Sequence, residues 1–301
     1  MRSCRERTLK FSFRYSSIFI AEYLINRAEF KTQQAHEARV MRQVEMLRLN
    51  LSTGKAERTA DFVAEEVPLQ ISLNDAYTFV IWCSPSQFKE LAVGYLISED
   101  ILRGVDEIES LRVSEKENKC EVKLKGSVDL DERMNHSRRS TRIIPLIKAS
   151  TSPYQRDEKM PVVKSPLKVR AQVILDCINQ MTSHASGFRQ TGGLHDSGIF
   201  KSDGTMVAFS EDVGRHNTVD KVIGQASLNR EDFSKCFMII TGRVPGDMIY
   251  KAAKAGVPIV ASVAAVLNSA ISSAEKANIA LIGFARGSRM NVYTGAERII
   301  L

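Results

Sequence analysis

Cysteine is scarce in this chain and falls into no paired pattern: there are five among 301 residues, and no CxxC occurs. An odd count of this kind excludes a disulfide framework and points to a reducing compartment. No Cys/His spacing of ligand type is present, which excludes a zinc site. There is one tryptophan, and aromatics make up 7% of the chain. Basic residues without interleaved aromatics do not make a stacking surface for nucleic acid. Long apolar runs are missing too. The opening MRSCRERTLKFSFRYSSIFIAEYLI has a basic head and an apolar middle, but Glu22 interrupts that middle and no small-residue cleavage site follows. No membrane association and a cytoplasmic location are expected. GxSxG, Walker and Ser-His-Asp patterns are all missing.

What remains is ordinary globular composition, 44% hydrophobic and 26% charged, with a formal net charge of +7. That charge favours anionic partners such as nucleotides, phosphorylated cofactors or acidic proteins, without choosing among them.

Residues 1–45 are basic, with Arg2, Arg5, Arg7, Lys10 and Arg14, and then Gln-rich. They are expected to form a poorly ordered extension. A helical arm, or a true start at Met41 or Met46, is the alternative. Residues 46–130 read as a small α/β domain. FVAEEVPLQISLNDAYTFVIW (62–82) gives two strands joined at Leu73-Asn74-Asp75. The next segment opens like a capping box, with Ser84 at N-cap, Pro85 at N1 and Gln87 at N3, and Phe88, Leu91, Ala92, Tyr95 and Leu96 form its apolar stripe. KCEVKLKG alternates as a half-buried strand does. Residues 131–166, rich in Ser, Pro and charge, are expected to be a long flexible loop.

Residues 167–301 form the main α/β/α domain. A helix from about Leu167 places Ile174, Cys177, Ile178 and Met181 on one face. The strands TMVAFS, CFMIITG, PIVASVA and IALIGFA then alternate with three helices, which argues for a parallel sheet covered by helices. Ligands of open α/β sheets bind beyond the strands' carboxyl ends. Those ends here lead into Gly214-Arg215-His216, Thr241-Gly242-Arg243 and Arg286-Gly287-Ser288-Arg289. Glycine lets a ligand approach the backbone, and arginine's planar fork suits phosphate. A phosphate-bearing ligand follows; the ordinary alternative is surface ion pairing with Glu211, Asp212 or Asp247. His195, after a glycine pair, is placed either for acid–base work or as a core-satisfying residue.

At EDVGRHNTVDKVIG (211–224) the sequence resembles FdhD, the formate dehydrogenase accessory family. TGGLH (191–195), TGR (241–243), KAAKAGVPIVASVAA (251–265) and GFARGSRMNVYTGAERI (283–299) follow in the family's order, as do FVAEEVPLQISLN and SPSQFKELAVGYLISEDI. The resemblance spans about residues 45–301. It implies a cytidine-deaminase-like α/β/α domain with a smaller N-terminal α/β domain. It also implies binding of molybdenum bis(molybdopterin guanine dinucleotide) as cargo, which guanine nucleotides would mimic. Sulfurtransferase-type sulfur carriage from a cysteine desulfurase to that cofactor, before insertion into the catalytic subunit of formate dehydrogenase, is implied as well. By motif the cofactor segment is Phe284, Ala285, Arg286, Gly287, Ser288 and Arg289, with Gly242, Arg243, Gly214, Arg215, His216 and His195 as neighbours. Homodimerisation is left open. Deamination is not implied, because the H-x-E and PCxxC signatures of zinc deaminases are absent.

One departure matters. The family's sulfur carrier is a cysteine in a CGxCG-like loop, and residues 126–166 contain none. A hydroxyl cannot replace it, because a persulfide needs a thiolate sulfur. Cys120, Cys177 and Cys236 read as core residues, and Cys83, near a helix start, is a weak substitute. A sulfur carrier and a cofactor-binding chaperone that handles no sulfur are therefore both retained.

Overall fold

The computed structural model of the protein describes residues 39–134 and 160–301. The expectations for residues 1–38 and 135–159 lie outside the described residues. The first strands, β1 (Met41–Asn50) and β2 (Lys55–Ala64), pair antiparallel along their whole length. The strand thus begins before residue 45, where a featureless extension was expected. Most of the hairpin is exposed on both faces, so no inward–outward alternation marked it in the sequence.

β3 (Val67–Leu73) and β4 (Tyr77–Cys83) form the expected hairpin, with Asn74 and Asp75 at positive φ in its turn. Helix α1 (Phe88–Ser98), β5 (Ile108–Ser114) and β6 (Lys119–Leu124) complete a four-stranded sheet of order β4-β3-β6-β5. Cys120, Val122 and Leu124 turn inward as their alternation predicts, joining Leu69, Ile71 and Leu73 against α1. The capping box is not realised. Gln87 holds the N-cap position at φ 53 and makes no side-chain cap. Its amide reaches Phe209 O instead, at 3.0 Å. Ser84 is engaged elsewhere, as described below.

Beyond residue 160 the chain runs through β7 (Val169–Arg170), α2 (Ala171–His184), α3 (Ser186–Thr191), β8 (His195–Lys201), β9 (Met206–Asp212) and α4 (Arg215–Leu228). It continues through β10 (Cys236–Ile240), α5 (Gly246–Ala255), β11 (Ile259–Ser262), α6 (Asn268–Ala277), β12 (Ala280–Arg286), β13 (Arg289–Thr294) and β14 (Ile299–Ile300). Six of these strands form one sheet of order β13-β12-β11-β10-β8-β9. Only β10, β11 and β12 pair in parallel; β8 and β13 run against them. The all-parallel expectation is corrected to a mixed sheet because two strands, β8 and β13, carry polar residues that hid them.

Alternate residues of the central strand separate the two faces. Met238 and Ile240 meet the core under α4, α5 and α6, while Phe237 and Ile239 meet Ile174, Cys177, Ile178 and Met181 of α2. The result is three layers, helix–sheet–helix. The first core extends through α1 into the small sheet without a break. Contact between α1 and α4 depends on two glycines. A β-carbon at Gly94 would lie 1.7 Å from Asp220 O, and one at Gly224 would lie 1.9 Å from Glu90 O. No side chain fits at either position, so the helix backbones touch.

Candidate functional site

Because β9 runs with β10, β11 and β12, the carboxyl ends of all four lie on one edge, where β8 and β13 begin. This edge collects the residues expected from the sequence. Asp212 leads into Gly214, Arg215 and His216 at the start of α4. Ile240 leads into Thr241-Gly242-Arg243. His195 opens β8 directly opposite Asp212. The segment Phe284–Arg289 lies further along the edge, past β11, at the turn joining β12 to β13.

Gly242 and Arg215 touch: a β-carbon on Gly242 would sit 3.0 Å from Arg215 Cβ. In the 284–289 segment Phe284 takes φ 51, and the register with β13 slips between Gly283 and Arg286. This bulge re-aims the strand end. Arg286 lies over the Phe284 ring, 5.8 Å from its centroid, while Arg286, Gly287, Ser288 and Arg289 are exposed. Ala285 is fully buried, with its methyl group in the core on the α2 face. Its side chain does not reach the edge.

The turn before α4 is fixed by a polar cluster that no local pattern signalled. Asp212 Oδ2 accepts from Ser84 N at 3.0 Å and lies 2.6 Å from Lys221 Nζ, with both charged side chains fully buried. Asp212 Oδ1 accepts from Gly214 N and Asn217 Nδ2, each at 2.8 Å. Val213 N donates to Ser84 Oγ, and Asn217 Nδ2 also reaches Trp82 O. A full set of hydrogen bonds is what offsets the cost of burying such a pair. The end of β4 is thereby fastened to the edge of the large sheet, through residues far apart in sequence.

The charges at the edge are unevenly matched. Of the three carboxylates available to its arginines, Asp212 is taken by Lys221. Glu211 accepts the Phe188 and Gly187 N–H groups. Asp247 lies 3.7 Å from His216 and accepts Met248 N. Among the described residues, Arg215, Arg243, Arg286 and Arg289 form no ion pair with any carboxylate, and Arg215 Nε is buried without a hydrogen-bond partner. The surface ion-pair alternative therefore fails, and the edge keeps an excess of positive charge suited to an anion.

Both histidines are held neutral. Burial, reinforced by Arg215 and opposed by Asp212, lowers His195. Burial lowers His216 to about 4 despite nearby Asp247, so that contact is not an ion pair at neutral pH. All four cysteines of the described residues are buried. Burial pushes the thiols of Cys83, Cys120 and Cys177 up to about 12 and that of Cys236 to about 11. Cys83 is wholly buried in the core that α1 shares, as its core reading expects, and it lacks the exposure that a substitute carrier thiol needs.

The sequence profile of the FdhD/NarQ family matches residues 64–300. A protein of Methanothermobacter thermautotrophicus named sulfur carrier protein FdhD is 35% identical over 246 residues, covering 81% of this chain and 93% of its own. A protein of the same name from Sulfolobus acidocaldarius is 33% identical over 251 residues, covering 82% and 95%. The solved structure of a formate dehydrogenase accessory protein from Desulfotalea psychrophila superposes with a TM-score of 0.70 at 23% identity, over 87% of this chain and all of that one, which shows a shared fold. With a matching profile over most of its length and relatives at 33–35% identity across four fifths of it, the chain belongs to the FdhD/NarQ family.

Proposed function

We propose that the protein is a formate dehydrogenase accessory factor that holds a pyrophosphate-bearing guanine dinucleotide cofactor, molybdenum bis(molybdopterin guanine dinucleotide), at the strand-end edge. The observation that carries this is the set of four arginines left without carboxylate partners among the described residues, while Glu211, Asp212 and Asp247 are engaged elsewhere. Two pyrophosphates supply the negative charge such a set attracts. The unpartnered Arg215 Nε and the open surface above Gly287 leave donors and room for it. Arg215 and Arg243 would face one phosphate group and Arg286 and Arg289 another, with neutral His195 and His216 on the Arg215 side able to donate or accept a hydrogen bond. The three-layer unit is read as cytidine-deaminase-like in fold only.

Within this reading the protein delivers the cofactor and does not load it with sulfur. The described thiols are inaccessible and protonated, and the loop segment carries no cysteine. A second reading is favoured by the relatives' name: a thiolate of this chain attacks the outer sulfur of a desulfurase persulfide, takes that sulfur, and releases the desulfurase thiolate. Cys4 then becomes the carrier to examine. A cysteine desulfurase and the formate dehydrogenase catalytic subunit are the corresponding partners.

Calorimetric titration with GDP, GMP and guanosine tests the cofactor site. Affinity should rise with each phosphate; equal binding of guanosine and GDP overturns the anion edge. Intact-protein mass after incubation with a desulfurase and cysteine separates the two readings. No added sulfur supports delivery alone, and a gain of one sulfur reversed by reductant supports transfer.

A further inference from the structure

Asp196 and Glu211 are direct cross-strand partners on β8 and β9, and they are 3% and 1% exposed. Two carboxylates so placed repel one another with little water to screen them. Glu211 has help from the Phe188 and Gly187 N–H groups at 2.9 and 3.3 Å. Asp196 has no such N–H donors: among the described residues its buried Oδ1 meets no hydrogen-bond partner, and its carboxyl contacts only Glu211.

Among the described residues the charged groups around the pair relieve this only in part, Arg189 being the one cation that favours the ionised carboxylates. Arg189 of α3 turns its guanidinium to Thr182 O and Ser183 O. Lys221 of α4 is taken by Asp212. His195 and Asp212 stand on the two strands themselves, Arg215 lies at the start of α4 on the opposite face of the sheet, and none of these forms an ion pair with either carboxylate among the described residues. A proton resolves the arrangement, with a neutral Asp196 donating its O–H to Glu211. Burial first, and then Glu211, push Asp196 up to about 7, and burial raises Glu211 as well. The pair is also wired to the edge. Asp196 N donates to Thr241 Oγ1 at 2.8 Å, and Asp196 O accepts Thr241 N at 3.0 Å. Thr241 runs straight into Gly242 and Arg243.

We propose that Asp196 and Glu211 hold one shared proton, and that its release weakens anion binding at the strand-end edge. Release adds a negative charge on the α3 face of the sheet, behind the Thr241 strand end, and strains the strand pair that seats Thr241-Gly242-Arg243. This rests on the edge being an anion site. It makes the protein release a phosphorylated ligand more readily as pH rises through neutrality.

Two readouts on the full chain test it. In infrared spectra at pH 6, the difference between wild type and Asp196→Asn should contain the carbonyl band of a neutral carboxylic acid, lost by pH 9; no such band overturns the shared proton. GDP affinity should fall from pH 6 to pH 8 by roughly two- to fivefold more in wild type than in Asp196→Asn, the size expected for one extra charge in a partly screened setting. Equal falls in the two proteins overturn the coupling. Should Asp196→Asn misfold, Glu211→Gln supplies the same comparison. Failure of GDP to bind at either pH overturns the anion edge and the coupling built on it, and leaves the shared proton to be judged by the infrared band.

Discussion

Lys221 Nζ and Asp212 Oδ2 lie 2.6 Å apart with neither side chain exposed, and together they fix the turn that presents Gly214, Arg215 and His216. Removing one partner leaves a buried charge alone. Lys221→Met or Asp212→Asn should each lower unfolding free energy by about 3–5 kcal/mol. The double variant should recover part of that loss in urea titrations. Fully additive losses would show that the two residues act independently.

The contact between α1 and α4 predicts a second cost. Gly94→Ala should destabilise by roughly 3 kcal/mol, the upper range for overpacking, because its methyl group meets backbone and not a movable side chain. Gly224→Ala should act alike. The pair together should cost less than the sum, since either one alone already separates the helices. Urea midpoints of the three variants decide this.

Arg243→Ala and Arg289→Ala should each reduce GDP affinity about tenfold or more, as expected for the loss of a charge-assisted hydrogen bond to phosphate. Thermal unfolding should stay within a few degrees of wild type, because neither guanidinium is buried. Added salt should narrow the gap between wild type and variants.

The thiols give a direct check on the chemistry. Native protein should show no iodoacetamide adduct on Cys83, Cys120, Cys177 or Cys236 at pH 7.5, and all four should react in urea. Peptide mapping that finds native labelling of Cys83 would restore it as a candidate nucleophile.

Stability against pH should show two opposing slopes. His216 has a lowered value, about 4, so its contribution is present above the unfolded value near 6.5 and is lost as pH falls toward 4. Asp196 has a raised value, about 7, so its contribution is present below the unfolded value near 4 and is lost as pH rises toward 7. Relative to wild type, His216→Gln should remove a stability that grows between pH 4 and 6.5. Asp196→Asn should remove one that shrinks between pH 4 and 7. Parallel curves for all three proteins would contradict both assignments.

The parts legible in the sequence were those governed by local chemistry. Alternation placed Cys120, Val122 and Leu124 inward, and glycine beside arginine marked the strand ends. What escaped depended on distant partners. Ser84 looked like a helix cap, yet its N–H and hydroxyl serve Asp212 and Val213, which are remote in sequence. β8 was hidden because Asp196, Ser197 and Gly198 are buried without being apolar, and Gly198 is required beneath the Phe200 ring, 2.6 Å from where its β-carbon would stand. The Asp196–Glu211 pair was invisible for the same reason, since only strand register brings the two together.

The chain has a single tryptophan, Trp82, half exposed at the end of β4, and its carbonyl is held by the side chain of Asn217, two residues from Arg215. Its emission therefore comes from one place, a backbone segment anchored to the turn that carries the arginines. Movement of that turn alters the indole's surroundings with no competing signal from elsewhere in the protein. The fold thus supplies an intrinsic optical reporter beside the edge proposed as an anion site, one that needs no modification of the protein.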